Sequence, residues 1–150
     1  MSFNRQDLDS FYRYALSLTR KEEWAYDLVS HGVEKVLSRP FVLNKKAYAK
    51  RCIRNKFFDE YQRKEEAVAF IDEEVSLDDL EKTAINKDLI QKVLKVLNPE
   101  ERELLYLWAM EDYSLSEIAS LTKTPRGTLS SRLARLKKKL KSTNWEETHE

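Results

Sequence analysis

The stretch SLSEIASLTKTPRGTLSSRLARLKKKLK, residues 114–141, contains the clearest structural signal in the sequence. Ser114 and Glu117 have the spacing of a capping box, which marks the start of a helix. Pro125 suits the first position of a second helix, because the N–H that it lacks has no partner there. Thr124, just before it, can cap that second helix. The sequence therefore predicts two helices separated by a short break.

The second of these helices has one apolar stripe and an opposite face of small and polar residues. The stripe follows helical spacing and consists of Leu129, Leu133, Leu136 and Leu140. At about 100° per residue, the opposite face carries Gly127, Thr128, Ser131, Ala134, Arg135 and Lys138. A helix with a low outer face and basic flanks can enter the major groove and contact phosphates. The pair of helices therefore predicts a DNA-binding helix-turn-helix, with an ordinary amphipathic hairpin as the alternative.

Composition extends the helical prediction to the whole chain. Only two glycines and three prolines occur in 150 residues, and 35% of the residues are charged. This composition favours an all-α fold. The mean hydropathy is −0.66, and no apolar run reaches the roughly 18 residues that a membrane span needs. Together with the single cysteine, Cys52, these features predict a cytoplasmic protein without membrane insertion.

Charge divides the chain into three parts. Residues 1–66 contain 14 basic and 10 acidic side chains, residues 67–112 contain 5 and 12, and residues 113–150 contain 8 and 4. Basic ends thus flank an acidic middle, although solvated helix faces would also explain such a pattern. With the apolar spacing, the charge pattern predicts two small helical domains at 1–66 and 83–141, an acidic linker at 67–82 and a tail at 142–150.

Two further helices have predicted apolar faces. In the N-terminal domain, the face of the third helix is predicted to consist of Tyr48, Cys52, Phe57 or Phe58, and Tyr61. In the C-terminal domain, Asn98 and Pro99 have the pattern of an N-cap and a first helical residue. The apolar stripe that follows them is predicted to be Leu104, Leu105 and Trp108.

Three segments resemble bacterial sigma-70 factors of the extracytoplasmic-function class. The segment LNPEERELLYLWAMEDYSLSEIASLTKTPRGTLSSRLARLKKKL, residues 97–140, resembles their C-terminal promoter-binding domain. The segments YDLVSHGVEKVL, residues 26–37, and YAKRCIRNKFFDEYQRK, residues 48–64, resemble their N-terminal domain. The chain departs from the family pattern at Ser30, His31 and Gly32, and a glycine inside a helix costs about 1 kcal/mol relative to alanine.

The resemblance implies a promoter-specificity subunit that binds core RNA polymerase and directs transcription initiation. It implies that the C-terminal domain reads the upstream, minus-thirty-five element as duplex DNA. It further implies that the N-terminal domain docks on the polymerase clamp and holds the melted minus-ten strand. An anti-sigma factor is a candidate partner. A stand-alone helix-turn-helix regulator that works without polymerase is the main alternative, and a helical adaptor that binds only protein is a weaker one.

Candidate binding residues fall into three groups. For the upstream duplex, the residues expected nearest the bases or the phosphates are Arg126, Thr128, Ser131, Arg132, Arg135, Lys137, Lys138 and Lys139. For the melted strand, an aromatic, amide and basic set consists of Phe41, Asn44, Lys45, Lys46, Tyr48, Lys50, Arg51, Arg54, Asn55 and Lys56. Phe41 could instead anchor its loop in the core. For polymerase, the resemblance implies Asp27, Leu28 and Glu34.

Catalytic chemistry has little support in the sequence. His31 and His149 have no partner at the spacing of a metal site or a catalytic triad. The chain also lacks a glycine-rich phosphate-binding loop. We therefore expect neither an enzyme nor a bound cofactor or metal.

Overall fold

The computed structural model describes residues 3–39, 41–67 and 96–142, and within these ranges every regular element is helical. The predicted all-α fold is therefore confirmed. The chain divides into two units, Met1–Ser76 and Leu77–Glu150. Most of the predicted acidic linker and of the tail lies outside the described residues, so their boundaries remain predictions.

The described part of the first unit contains three helices, α1 (Arg5–Thr19), α2 (Glu22–Leu37) and α3 (Lys45–Ala67). Asn4 begins α1 with a capping box, and Arg20 ends it in the left-handed conformation at φ 55°. The three helices pack on one another. Their shared core contains Phe11, Tyr14, Leu16, Leu18, Trp24, Leu28, Val36, Ile53 and Phe57.

The buried face of α3 lies one residue away from the predicted face. Ala49, Ile53 and Phe57 are fully buried, whereas Tyr48 and Cys52 are only partly buried. The reason lies in Gly32, which brings the backbone of α2 close to α3. A β-carbon at Gly32 would lie 3.0 Å from the carbonyl oxygen of Ala49. The side of α3 that carries Ala49 and Ile53 therefore packs against Gly32, and Tyr48 and Cys52 lie beside the contact.

Phe57 is the centre of an aromatic cluster in this unit. Its ring centroid lies 5.0 Å from that of Trp24, 4.9 Å from that of Phe58 and 5.4 Å from that of Tyr61. The indole Nε1 of Trp24 donates a hydrogen bond of 2.8 Å to Oε1 of Glu60. The polar end of this buried tryptophan is therefore satisfied, as burial requires.

The second unit contains α4 (Pro99–Leu105), a π-helical segment (Tyr106–Met110), α5 (Leu115–Thr122) and α6 (Arg126–Ser142). Asn98 and Ser114 begin α4 and α5 with capping boxes, which confirms both predicted helix starts. The described core of this unit consists of Leu97, Leu104, Tyr106, Leu107, Ile118, Leu121, Leu129, Leu133 and Leu136.

The prediction that Trp108 lies on the apolar stripe of α4 was wrong. Trp108 is 37% exposed, and Tyr106 and Leu107 are buried instead. The backbone widens here, since the N–H of Glu111 reaches back five residues to the carbonyl of Tyr106 at 3.1 Å. One π turn changes the angular position of the residues within it, so the simple helical period fails at Trp108.

Candidate nucleic-acid interfaces

A tight turn joins α5 to α6. The first residue after α5, Lys123, is left-handed at φ 54° and ψ 40°, and its N–H donates to the carbonyl of Ala119. The carbonyl of Pro125 accepts from the N–H of Leu129 at 3.1 Å, so α6 begins just after the proline. The Thr124 hydroxyl donates to the carbonyl of Thr122 at 3.3 Å and does not cap α6. The two helices and this turn form the predicted helix-turn-helix.

The outer face of α6 is low and open. Leu129, Leu133 and Leu136 are buried on the inner side. The residues on the opposite side that are exposed are Gly127, Ser131, Ala134, Arg135 and Lys138. A β-carbon at Gly127 would have no atom within 4 Å. The structure thus presents the small, polar surface that insertion into a groove requires.

One flank of α6 is paired with the start of α4. Arg132 Nη1 lies 3.6 Å from Oε2 of Glu100, and Lys139 Nζ lies 2.9 Å from Oε1 of Glu101. The same Glu101 oxygen also accepts from the backbone N–H of Asn98 at 3.0 Å, within the capping box. A cleft between the helices is lined by Asn98, Glu100, Glu101, Leu104, Arg132 and Arg135. Arg132 and Lys139 are therefore engaged within the unit.

The other flank of α6 carries a contact that the sequence did not reveal. The Nζ atom of Lys137 lies 4.5 Å from the ring centroid of Trp108. A cation over a tryptophan face is attracted by the ring quadrupole. No sequence signal identifies this contact, because it depends on the π-helical segment that turns Trp108 outward.

The loop before α3 exposes apolar side chains. Phe41 is 94% exposed and Leu43 is 102% exposed. Phe41 therefore does not anchor the loop in the core. The side-chain oxygen of Asn44 accepts from the N–H of Ala47 at 3.0 Å, at the start of α3. Asn44 thus caps α3 with its oxygen, and its side chain as a whole is exposed.

Lys46 and Lys50 have different environments although both were predicted to contact the melted strand. Lys46 is exposed, and its Nζ atom lies 3.0 Å from Oδ1 of Asp7 in α1. The hydrogen bond from Lys46 holds the pKa of the Asp7 carboxyl below its usual value, and the backbone N–H of Asn4 acts in the same direction against partial burial. Lys50 is only 6% exposed, so the structure does not present it to a nucleic acid.

The outer part of α3 keeps several polar groups near its surface. Asn55 is exposed, and the Arg54 guanidinium lies 4.7 Å from the ring centroid of Phe58. Lys56 Nζ is 3.6 Å from Oε2 of Glu60. The remaining members of the predicted set that lie half-buried near the start of α3 are Lys45, Tyr48 and Arg51. The structure therefore places this set along one loop and the helix that follows.

On α2, two of the three predicted polymerase contacts are at the surface. Asp27 and Glu34 are exposed and lie two helical turns apart, whereas Leu28 is 1% exposed and belongs to the core. Leu28 is thus unavailable to a partner in this fold. Near the same surface, the exposed ring of Tyr26 stacks on that of Tyr12, with centroids 4.7 Å apart.

His31 faces α3 from the middle of α2. Partial burial lowers the pKa of His31, and the ammonium groups of Lys56 and Lys35 lower it further. The carboxylates of Glu34 and Glu60 act in the opposite direction but are weaker causes. His31 therefore remains neutral at lower pH than a free histidine does.

In residues 3–39, 41–67 and 96–142, no three or more His, Cys, Asp or Glu side chains are grouped as a metal site would need. Within those same ranges, no helix combines the length and the apolar character needed to span a membrane.

Known proteins resemble the chain in both sequence and structure. Residues 87–140 match the family model of sigma-70, region 4. The fold is similar to that of the sigma factor RpoE from Bartonella quintana, solved in complex with the anti-sigma factor NepR. The TM-score is 0.74 with 23% sequence identity, over 90% of this chain and 89% of that chain. No curated protein matched the sequence significantly. These findings confirm the all-helical fold and the resemblance of the C-terminal unit to sigma-70 factors.

Proposed function

We propose that this chain, whose residues 87–140 match the family model of sigma-70, region 4, is a promoter-specificity factor of the extracytoplasmic-function class. It binds core RNA polymerase and directs transcription initiation at a dedicated set of promoters. The observation that carries the proposal is the position of the family match, which ends on the capped helix-turn-helix with an open, basic α6. Such a factor is not an enzyme, and its partners place it in the cytoplasm.

The upstream duplex is bound by α6. Its outer face carries the side chains that can reach base edges, and Arg135 is the strongest candidate because an arginine can bond two acceptors of one guanine. The full set proposed to lie at or near the duplex, apart from the two paired residues of the α4 flank, is Arg126, Thr128, Ser131, Arg135, Lys137 and Lys138. Loss of a base-reading side chain from this set should cost about 1–3 kcal/mol and relax preference at one position.

The melted strand is held by the loop before α3 and by the outer part of α3. A factor without a nucleotide cofactor must trap bases that open thermally, and an exposed aromatic offers about 1–3 kcal/mol per stacked base. Phe41 is fully available for such stacking. The polar residues proposed to accompany it are Asn44, Lys45, Lys46, Tyr48, Arg51, Arg54, Asn55 and Lys56. Lys50 is left out of this surface because it is buried.

Polymerase is bound through α2, where Asp27 and Glu34 offer two exposed carboxylates. Charged groups at such an interface set orientation and association rate more than affinity. An anti-sigma factor is a further partner that we propose, because the structurally similar RpoE was crystallised with one. The domain boundaries near residues 66 and 83 and the acidic linker between them belong to the same proposal.

The proposal is tested by mixing the purified chain with bacterial core RNA polymerase and separating the products by gel filtration. Co-elution is expected, followed by run-off transcription from specific sites in DNA of the source genome. A chain that binds duplex DNA as a dimer and never joins polymerase would instead be a stand-alone regulator. Arg135→Ala should weaken promoter binding and relax base preference at one position without affecting co-elution.

A further inference from the structure

The two flanks of α6 differ in their balance of charge. At about 100° per residue, Arg132 and Lys139 lie on one side of the leucine stripe, whereas Lys137 and Lys141 lie on the other. On the first flank, both cations meet carboxylates of α4. On the second flank, Lys137 rests on the ring of Trp108, and in the described part of the chain it has no carboxylate partner. The two flanking cations of the first side are thus each paired with a carboxylate, whereas Lys137 on the second flank is not, within the described residues.

The Glu101 carboxylate on the first flank is held in place by a second contact. A surface ion pair alone is weak enough for a phosphate to displace. Glu101, however, also accepts the N–H of Asn98 as part of the capping box that begins α4. A phosphate that replaced Glu101 as the ion-pair partner of Lys139 would still lie close to the Glu101 carboxylate. The two negative charges would repel each other. The first flank is thus a poor place for the DNA backbone.

The second flank is arranged to hold a cation in position. The aromatic face restricts the Lys137 side chain, while the ammonium keeps its full charge and can still donate to an oxygen. Trp108 owes its place beside α6 to the π-helical segment, which turns it away from the core of the unit. Lys141, one turn further along α6, is exposed on the same side.

The major groove is about 12 Å wide, so an α-helix fits into it. The two DNA strands border the groove, so one backbone lies on each side of the helix. We propose that α6 grips the duplex backbone on one flank only, through Lys137 and Lys141, and that Trp108 is the positioning residue for Lys137. Arg132 and Lys139 dock α6 on α4 and do not bind phosphate. This inference rests on the proposed promoter-binding function. It adds which flank of α6 contacts the phosphate backbone of the duplex.

The test compares two lysines that lie two positions apart on the same helix. Holoenzyme reconstituted with each full-length variant is bound to a promoter fragment that wild-type holoenzyme selects from sheared DNA of the source genome. Affinity is measured from about 50 to about 200 mM salt, where each phosphate contact contributes about 0.9 to the slope of log affinity against log salt. Lys137→Ala should make this negative slope shallower by about 0.9. Lys139→Ala should leave it unchanged.

A gain-of-contact variant tests the other half of the inference. Glu101→Gln keeps the capping box, because glutamine serves equally at that position, but it removes the negative charge beside Lys139. The slope should become steeper by up to about 0.9, and affinity at about 50 mM salt should rise about threefold or more. An unchanged slope in Glu101→Gln would show that the carboxylate does not exclude the backbone.

Variants of Trp108 separate positioning from folding. Trp108→Phe keeps an aromatic face for Lys137 and should retain most of the wild-type salt dependence. Trp108→Leu should make the slope shallower, because the Lys137 ammonium is no longer held in position. Equal slopes for Lys137→Ala and Lys139→Ala, with normal promoter selection, would overturn the one-sided grip alone. Failure of the wild-type chain to join polymerase would overturn the proposed function itself, and the inference with it.

Discussion

Gly32 in α2 lies against Ile53 in α3 with too little space between them for a β-carbon. A β-carbon at Gly32 would lie 3.0 Å from Cγ1 of Ile53 and 3.0 Å from the carbonyl oxygen of Ala49. The glycine that looks unfavourable in the sequence of α2 is thus what permits α2 and α3 to pack. Glycine destabilises the helix by about 1 kcal/mol relative to alanine, but it allows the two helices to pack closely.

Gly32→Ala should therefore destabilise the first unit. Helix propensity would favour the change by about 1 kcal/mol, but overpacking against a main-chain carbonyl costs about 1–3 kcal/mol. We expect a net loss of about 1 kcal/mol in the free energy of unfolding, measured by urea titration followed by circular dichroism. Gly127→Ala is the control, since no atom lies near its β-carbon, and it should stabilise the second unit. A stable Gly32→Ala variant would contradict the packing argument.

Lys123→Gly should stabilise the helix-turn-helix. Lys123 adopts φ 54° at the end of α5, and a left-handed conformation costs a residue with a β-carbon about 1 kcal/mol relative to glycine. Urea unfolding followed through Trp108 should show a gain of about 0.5–1 kcal/mol. Lys123→Ala, which removes the same charge without relieving the backbone, should give no such gain. Equal behaviour of the two variants would mean that charge, and not backbone conformation, matters there.

Stability should depend on pH through His31. Its pKa is lowered in the folded chain, so the unfolded chain takes up the proton more readily. The contribution is fully present above about pH 6.5, and it is lost as the pH falls toward the folded-state pKa. Thermal unfolding of the wild type and of His31→Gln should therefore diverge between about pH 7.5 and 5. Both chains should carry His149→Gln, and parallel curves would contradict a lowered pKa.

Asn44 should have two separable roles. Asn44→Ala removes the cap of α3 and should cost about 1 kcal/mol of stability, whereas Asn44→Ser keeps a capping oxygen. If the Asn44 amide also reads the melted strand, Asn44→Ser should be folded but should weaken promoter opening. Permanganate footprinting of thymines by the reconstituted holoenzyme measures that opening.

The basic residues beside Asn44 complete this experiment. Adding Lys45→Ala and Lys46→Ala to Asn44→Ser should abolish reactive thymines while duplex recruitment through α6 persists. Normal opening by the triple variant would show that the loop does not capture the strand. Asp7→Asn removes the charge that pairs with Lys46 and keeps a side-chain oxygen that can accept the N–H of Asn4, so it serves as the control for loss of that ion pair.

Charge reversal on α2 should impair assembly with polymerase. Asp27→Lys combined with Glu34→Lys changes two exposed side chains and should leave the circular dichroism spectrum unchanged. Co-elution with core polymerase should fall at least tenfold, a change of about 1.4 kcal/mol. Asp9→Lys combined with Asp59→Lys makes the same change in net charge at other exposed positions of the first unit. Equal assembly of both double variants would exclude α2 as the docking surface.

The features that sequence predicts well are those set by neighbours along the chain. The capping boxes at Asn98 and Ser114 and the leucine stripe of α6 depend only on residues within a few turns. They were therefore confirmed in position and type. The general basic character of the two proposed DNA surfaces is also visible in the sequence, because it depends on composition and not on contacts.

Features that depend on distant residues could not be predicted. The burial of Lys50 follows from how the described helices of the first unit pack, and a lysine in a helix is ordinarily exposed. The bond between Lys139 and Glu101 joins residues 38 positions apart. Trp108 was misplaced because a π turn interrupts the helical period. Each of these errors changes which side chains remain available for binding.

The loop at residues 41–43 contributes almost nothing to the core of its unit, since Phe41 and Leu43 are exposed. The stability of the three-helix scaffold therefore depends little on which residues occupy the tip of this loop. New residues at the tip could be grafted without refolding the helices, provided that Asn44 still caps α3. The base preference for the opened promoter strand could therefore diverge between related factors, or be engineered. Such changes would alter the free energy of unfolding of the domain very little.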